Sequence, residues 1–495
     1  MAEDLPGFDR FDHLIVLMLE NRSFDNLFGY LYEHDQPERF IGRGERMFRG
    51  VAGRTDLTNP DLGNPPIHVP VRKAPWETAE DMCHPSPDPG EFYRPHVNRQ
   101  VYGRDDVPEP VEDLKQPAPM NGFVQDYIRA IREQEFFDGV EPSFEHYRRI
   151  MDCFPPEAVP VLSGLARAFA VSDEWYASVP SQTFCNRSFF HAGQSRGYVN
   201  NADYFKWLGN DCPTIFDRLT DAGLESRIYW DEQDPAPLTR LLHSGLRHER
   251  HAQRFRHFGQ FAEDCRTGDL PAYTFIQPRV MLNHNDMHPP AFPNQVVHSS
   301  VLAGELLVAS VYDAVRKGPK WMRSLLVIVF DEHGGCYDHW PPPAATTPWP
   351  VLPHPPYPLE EGFRFDRFGV RVPTVFISPY VEPGTVIRAP GKTPFDHTSM
   401  LRTICRRWGL PGLTDRDRAA PDFGAVFTLP DANGRRDTPP VHPRPYTPIS
   451  AAEAHESLLS GFQKALGHLI AHVTGREPPT GVQRIGELLR HLAGA

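Results

Sequence analysis

Two runs of six apolar residues, Leu14–Leu19 and Leu325–Phe330, constrain this chain more than anything else in it. Each is continuous rather than alternating, and each is far below the ~20 residues that span a bilayer. That pattern predicts short strands buried on both faces of a parallel sheet. Each run also ends on acid: Glu20-Asn21 follows the first and Asp331-Glu332 the second. Open parallel sheets bind ligands beyond the carboxyl ends of their strands. If the two strands are neighbours, three carboxylates and one amide oxygen meet at one edge. Such a hard, oxygen-rich set suits Mg²⁺, Ca²⁺ or Mn²⁺, and also Zn²⁺. Without a cation the acids repel one another and at least one must take a proton. Taken singly, each pair reads more readily as a helix cap or a solvated loop charge.

The surrounding pattern is α/β. Apolar residues recur at helical spacing over 122–136, 157–170, 301–316 and 397–408, and further buried strands are expected near 170–175 and 371–381. Between them lie long loops, consistent with 53 prolines in 495 residues. These include a loop-rich insertion at about 30–118 and the stretch Pro341–Pro358, where every second residue on average is proline. That stretch is expected to be extended and to wall the mouth of a site with Trp349 and Tyr357. We read residues 1–445 as one catalytic unit. The segment 446–495 reads as a helical extension that packs on the core, with self-association or transient membrane-surface contact as alternatives.

The net charge of −13 argues against nucleic acid as a partner. No segment is long and apolar enough for a transmembrane helix. The amino terminus carries neither a basic nor an apolar leader region, which predicts a cytoplasmic protein unless a leader was removed. Seven scattered cysteines without a C-x-x-C pair read mainly as free thiols.

Three loops place histidines beside strands or a helix start: His288 in NDMHPP, His333 and His339 in DEHGGCYDH, and His397 in FDHTS. Each can move protons or contact phosphate. Residues 178–190, SVPSQTFCNRSFF, place hydroxyls before a helix, where unpaired N–H groups favour an anionic nucleophile. Thr183 and Ser181 both qualify, Ser178 less well. Asn186 and Arg187 offer donors for phosphate, although Arg187 reads equally as an anchor to a buried carboxylate.

Taken together, these blocks resemble the phosphoesterase family of non-specific phospholipases C and related acid phosphatases. The resemblance rests on HLIVLMLENRSFDNLFGYL from His13, PMNGFVQDY, AVSDEWYASVPSQTFCNRSFFHAG, NDMHPP, LLVIVFDEHGGCYDHWPPP, GVRVPTVFISPYVEPGTV and DHTSMLRTI, in family order. It implies a doubly wound, alkaline-phosphatase-like α/β sandwich and a phosphoric ester hydrolase. It also implies one metal ion on Glu20, Asn21, Asp331, Glu332 and Thr183, with Thr183 as the nucleophile that forms a phosphothreonine. His288 and His333 are implied near the phosphate or leaving group; from the residues themselves we expect His397 to join them in catalysis and Asn186, Arg187 and His339 to bind substrate. The implied substrate is a phospholipid or small phosphate ester. A phosphomonoesterase and a catalytically poor binding relative are the alternatives. The chain departs from the family at Glu91, where a histidine is usual and for which His84 or His96 can substitute. It departs again at Cys185 and Cys336.

Overall fold

The computed structural model describes residues 7–108, 118–134, 137–292, 299–350, 356–430, 433–436 and 438–494. Part of the loop-rich insertion (109–117) and of the proline stretch (351–355) therefore lies outside the described residues. The centre is a nine-stranded sheet. In chain order its strands are β1 (His13–Leu19), β2 (Arg39–Ile41), β3 (Ala170–Ser172), β4 (Ser226–Trp230) and β5 (Phe255–His257). Then come β6 (Tyr273–Ile276), β7 (Ser324–Phe330), β8 (Thr374–Ile377) and β9 (Thr385–Ile387). Their spatial order is β5-β4-β6-β1-β7-β8-β3-β9-β2. All pairings are parallel except those of β8, which runs against both β7 and β3.

The two apolar runs of the sequence are the two central strands. β1 and β7 lie side by side in register, from His13 opposite Ser324 to Leu19 opposite Phe330. Every residue of both is buried, because helices cover both faces of the sheet. Side chains along β6 show this directly. Phe275 packs on Phe190 of one helix, with ring centroids 5.7 Å apart. Ile276 points to the other face, in register with Tyr229, which packs on Phe261 at 5.2 Å. The Phe190 face carries Thr183–Ala192, Ile215–Asp221 and His397–Trp408. The Phe261 face carries Phe261–Thr267, Val301–Lys317 and Pro160–Ala168. Each aliphatic side chain buried in this sandwich contributes about 1.5–3 kcal/mol.

The carboxy-terminal segment folds into helices Ala451–Glu456, Gly461–Val473 and Ile485–Ala493. It joins a second apolar cluster with Phe184, Trp207, Leu241 and Met281. The proline stretch does not act as expected. Trp349 packs on Phe365 at 5.7 Å and on Tyr357 at 6.2 Å, and neither side chain lines the cavity described below. Trp349, half-buried, gains more by packing against this cluster than by standing at an open mouth.

Candidate active site

Because β1 and β7 end at the same level, Glu20 and Asp331 leave the sheet side by side. The Asp331 N–H donates to the Leu19 carbonyl (3.1 Å) and the Asn21 N–H to Asp331 Oδ1 (3.2 Å). Asn21 adopts a left-handed backbone, φ 57°. The following glycines allow the second loop to close over it. A Cβ on Gly334 would lie 2.5 Å from Asn21 Cβ, and one on Gly335 2.6 Å from Pro89 Cβ; both have positive φ. Glu20, Asn21, Asp331 and Glu332 are thus brought together, all essentially buried.

Thr183 is the first residue of the helix Thr183–Ala192. It lines a cavity of about 370 Å³ with Glu20, Asp88, Glu91 and His288. The competing hydroxyls are occupied elsewhere. Ser181 donates to the Val199 carbonyl, and Ser178 to Asp396 Oδ2 at 2.7 Å. Thr183 is therefore the one of the three that meets the cavity.

Several expected partners are engaged by the protein itself. Arg187 bridges Glu20 Oε1 (2.8 Å) and Asp331 Oδ2 (3.1 Å), tying the nucleophile helix to both strand ends. This is the anchoring role rather than a free phosphate contact. Asn186 donates to the carbonyls of Val179, Ser181 and Gln182 and accepts from the Val179 N–H, so it shapes the loop before Thr183. His339 donates through Nδ1 to Asp25 Oδ2 at 2.6 Å. His333 donates through Nε2 to Gln100 Oε1 at 2.7 Å, and burial pulls it down to about 3. His397 donates through Nε2 to the Asp331 carbonyl (2.5 Å) and accepts the Trp175 indole N–H at Nδ1 (3.3 Å). Burial pulls it down to about 4. Both of its nitrogens are used, which leaves it no route to a leaving group. Among the four expected histidines only His288 lines the cavity.

Other residues of the site were not foreseen. Asp286 anchors the loop above β1: its carbonyl accepts the Glu20 N–H (2.8 Å), its Oδ1 the His288 N–H (2.9 Å) and its Oδ2 pairs with His284 (3.0 Å). Gln100 holds the Gly90 carbonyl and Asp126 at 2.7 Å each, besides His333. Arg22 fastens the 287 loop through the Met287 carbonyl at 2.7 Å. Asp286 stood in the quoted NDMHPP block, but an acid two residues before a histidine is too common a pattern to single out. Glu91, flagged as a departure, accepts the Asn21 side-chain N–H at 2.8 Å and so stands beside the acid set. His96, offered in exchange, lines the cavity but gives Nδ1 to Asp126 at 3.0 Å. The Cys185 thiol donates to the Tyr198 carbonyl, away from the cavity. All seven cysteines are free and buried.

Crowding sets the electrostatics. Burial, then Glu91 and Asp331, push Glu332 well above the usual carboxylate range. Burial raises Glu20 likewise, against the pull of Arg187. Asp331 is raised by burial, with Arg187 and the N–H groups of Asn21 and Glu332 opposing. Burial and Glu91 raise Asp88. Two oxygens of the expected ligand set, Asn21 Oδ1 and Glu332 Oε1, are buried without a hydrogen-bond partner. Unpaired hard oxygens beside surplus negative charge fit a divalent cation. Glu20 and Asp331 would share their charge between it and Arg187.

The sequence pattern of the Phosphoesterase family matches residues 11–411. The chain belongs to that family. It is 32% identical to non-specific phospholipase C5 of Arabidopsis thaliana, over 96% of this chain and 85% of that one. It is 33% identical to non-specific phospholipase C1 of the same plant, over 93% and 79%. Phospholipase C A of Mycobacterium tuberculosis is 24% identical over 88% and 79%. Among solved structures, a protein in the alkaline phosphatase superfamily from Vibrio parahaemolyticus aligns at TM-score 0.30 and 12% identity, over 53% of this chain and 64% of that one. A score that low carries no functional weight. The family and its phospholipase members make this chain a phosphoric ester hydrolase.

Proposed function

We propose that this hydrolase is a phospholipase C-type phosphodiesterase that releases diacylglycerol from glycerophospholipids through a phosphothreonine at Thr183. One observation carries the reading. Among the candidate hydroxyls, Thr183 alone meets the acid-lined cavity, at a helix N-terminus tied by Arg187 to both strand ends. Relatives named phospholipase C support the lipid substrate. So do the apolar walls of the cavity: Phe92, Tyr204, Met281, Phe292 and Phe462.

Asn21, Glu332, Glu20 and Asp331 would hold a divalent cation. When bound, it lowers the pKa of a coordinated hydroxyl and neutralises phosphoryl oxygens. The chain's own residues do the rest. Thr183 Oγ1 attacks phosphorus in line as the P–O bond to the glycerol breaks, and the departing diacylglycerol oxygen regains the proton that Thr183 gives up. The helix N-terminus places partial positive charge beside the developing anion. Arg187 keeps the helix in register with Glu20 and Asp331, so the nucleophile stays positioned. Water then cleaves the phosphothreonine, releasing the phosphorylated head group and restoring the hydroxyl.

Thr183→Ala is expected to lower turnover of phosphatidylcholine vesicles by at least about 10³-fold with unchanged thermal unfolding. The wild-type protein, quenched in acid during turnover, should yield a phosphorylated Thr183 peptide by mass spectrometry. Near-wild-type activity in Thr183→Ala would remove the assignment. Release of phosphate from p-nitrophenyl phosphate with no diacylglycerol from vesicles would show a phosphomonoesterase instead.

A further inference from the structure

We propose that Asp88, Glu91 and His288 form a second divalent-cation site on the cavity wall, separate from the strand-end set. Their ligand atoms all lie within 4.8 Å of one another. The His288 tautomer is set by its neighbour: Nδ1 lies 2.6 Å from the Pro289 carbonyl and must carry the proton. A proton on Nδ1 leaves Nε2 as the ring nitrogen that can take a metal. It faces Asp88 Oδ2 at 3.9 Å and Glu91 Oε1 at 3.7 Å. Both distances exceed a hydrogen bond. Two carboxylates and this nitrogen thus converge, an arrangement that costs free energy unless a proton or a cation joins them.

A separate observation points the same way. Asp88 Oδ1 is buried without a hydrogen-bond partner. Each ligand is also anchored from behind. Asn21 fixes Glu91, the Asp286 carboxylate fixes the His288 backbone, and Gln100 fixes the Gly90 carbonyl between Asp88 and Glu91. Asn21 separates the two sites, giving its N–H to Glu91 and keeping Oδ1 for the strand-end set. Two carboxylates and one imidazole, open to the cavity, suit Zn²⁺ or Mn²⁺ better than Ca²⁺. His288 then serves as a ligand through Nε2.

The full chain, stripped of metal and titrated with ZnCl₂ by calorimetry and elemental analysis, is expected to bind two ions. Glu91→Gln and His288→Ala should each leave one, with the affected site weakened at least about tenfold. Asp331→Asn should also leave one, the site at 88, 91 and 288. If Glu91→Gln does not fold by circular dichroism, Asp88→Asn makes the same test. A wild-type stoichiometry of one or none, unchanged in Glu91→Gln, overturns the proposal and leaves a proton shared among the three groups. Binding is read without substrate, so failure here and failure of the phosphothreonine reading are separate results.

Discussion

Two clusters of two acids and a histidine lie near the strand ends, and they solve the same electrostatic problem differently. In the first, Asp25, Asp338 and His339 surround a buried guanidinium. Arg371 donates to Asp25 Oδ1 at 3.0 Å and to both oxygens of Asp338 at 3.0 and 3.1 Å. The Asp25 and Trp340 N–H groups complete Asp338, at 3.2 and 2.8 Å. Arg371 also stacks over Phe24 at 4.6 Å. The cluster holds the ENRSFD loop against the DEHGGCYDH loop. In the second, Asp88, Glu91 and His288 face one another with no internal cation, on a cavity wall. A closed cluster with its own counter-charge is a structural rivet, whereas an open one without it has room for a cation from outside.

Predictions that test this contrast run from large effects to small. Removing the internal cation with Arg371→Met strands two buried carboxylates and should cost about 3–5 kcal/mol, read by urea unfolding. A loss below about 1 kcal/mol would show that the rivet carries little. Adding ZnCl₂ at a hundredfold excess over its dissociation constant should stabilise the wild type by about 2.7 kcal/mol per site. Glu91→Gln should lose one site's share of that gain. Asp338, raised to about 6 by burial and by Asp25 against the pull of Arg371, should still matter at pH 7. Asp338→Asn is expected to cost about 2 kcal/mol. The smallest effect has the opposite sign. In metal-free protein Glu91→Gln should stabilise by about 1 kcal/mol, because it removes one of several crowded like charges. Destabilisation there would place Glu91 among the rivets.

The sheet centre was legible because continuous apolar runs have one good home, and their neighbouring positions bring Glu20 and Asp331 together. The strands toward its two sides were not. Ser226–Trp230, Phe255–His257 and Thr385–Ile387 are three to five residues long, too short for a period to register. The site was legible in its residue types and less so in their allegiances. Sequence offers Arg187 two roles, and only the distances to Glu20 and Asp331 decide between them. The same holds for Asn186 and His397, whose partners come from backbone carbonyls that no side-chain pattern reveals. The helices of the tail were visible, but their docking was not, since an amphipathic face does not name the surface it covers.

That docking has a practical consequence. Leu458, Ser460, Phe462 and Ile485 line the same cavity as Thr183, and Gln463 is fastened to the Met281 carbonyl at 2.8 Å. A deletion that removes residues 458–485 therefore opens the wall around Thr183 rather than trimming a bystander.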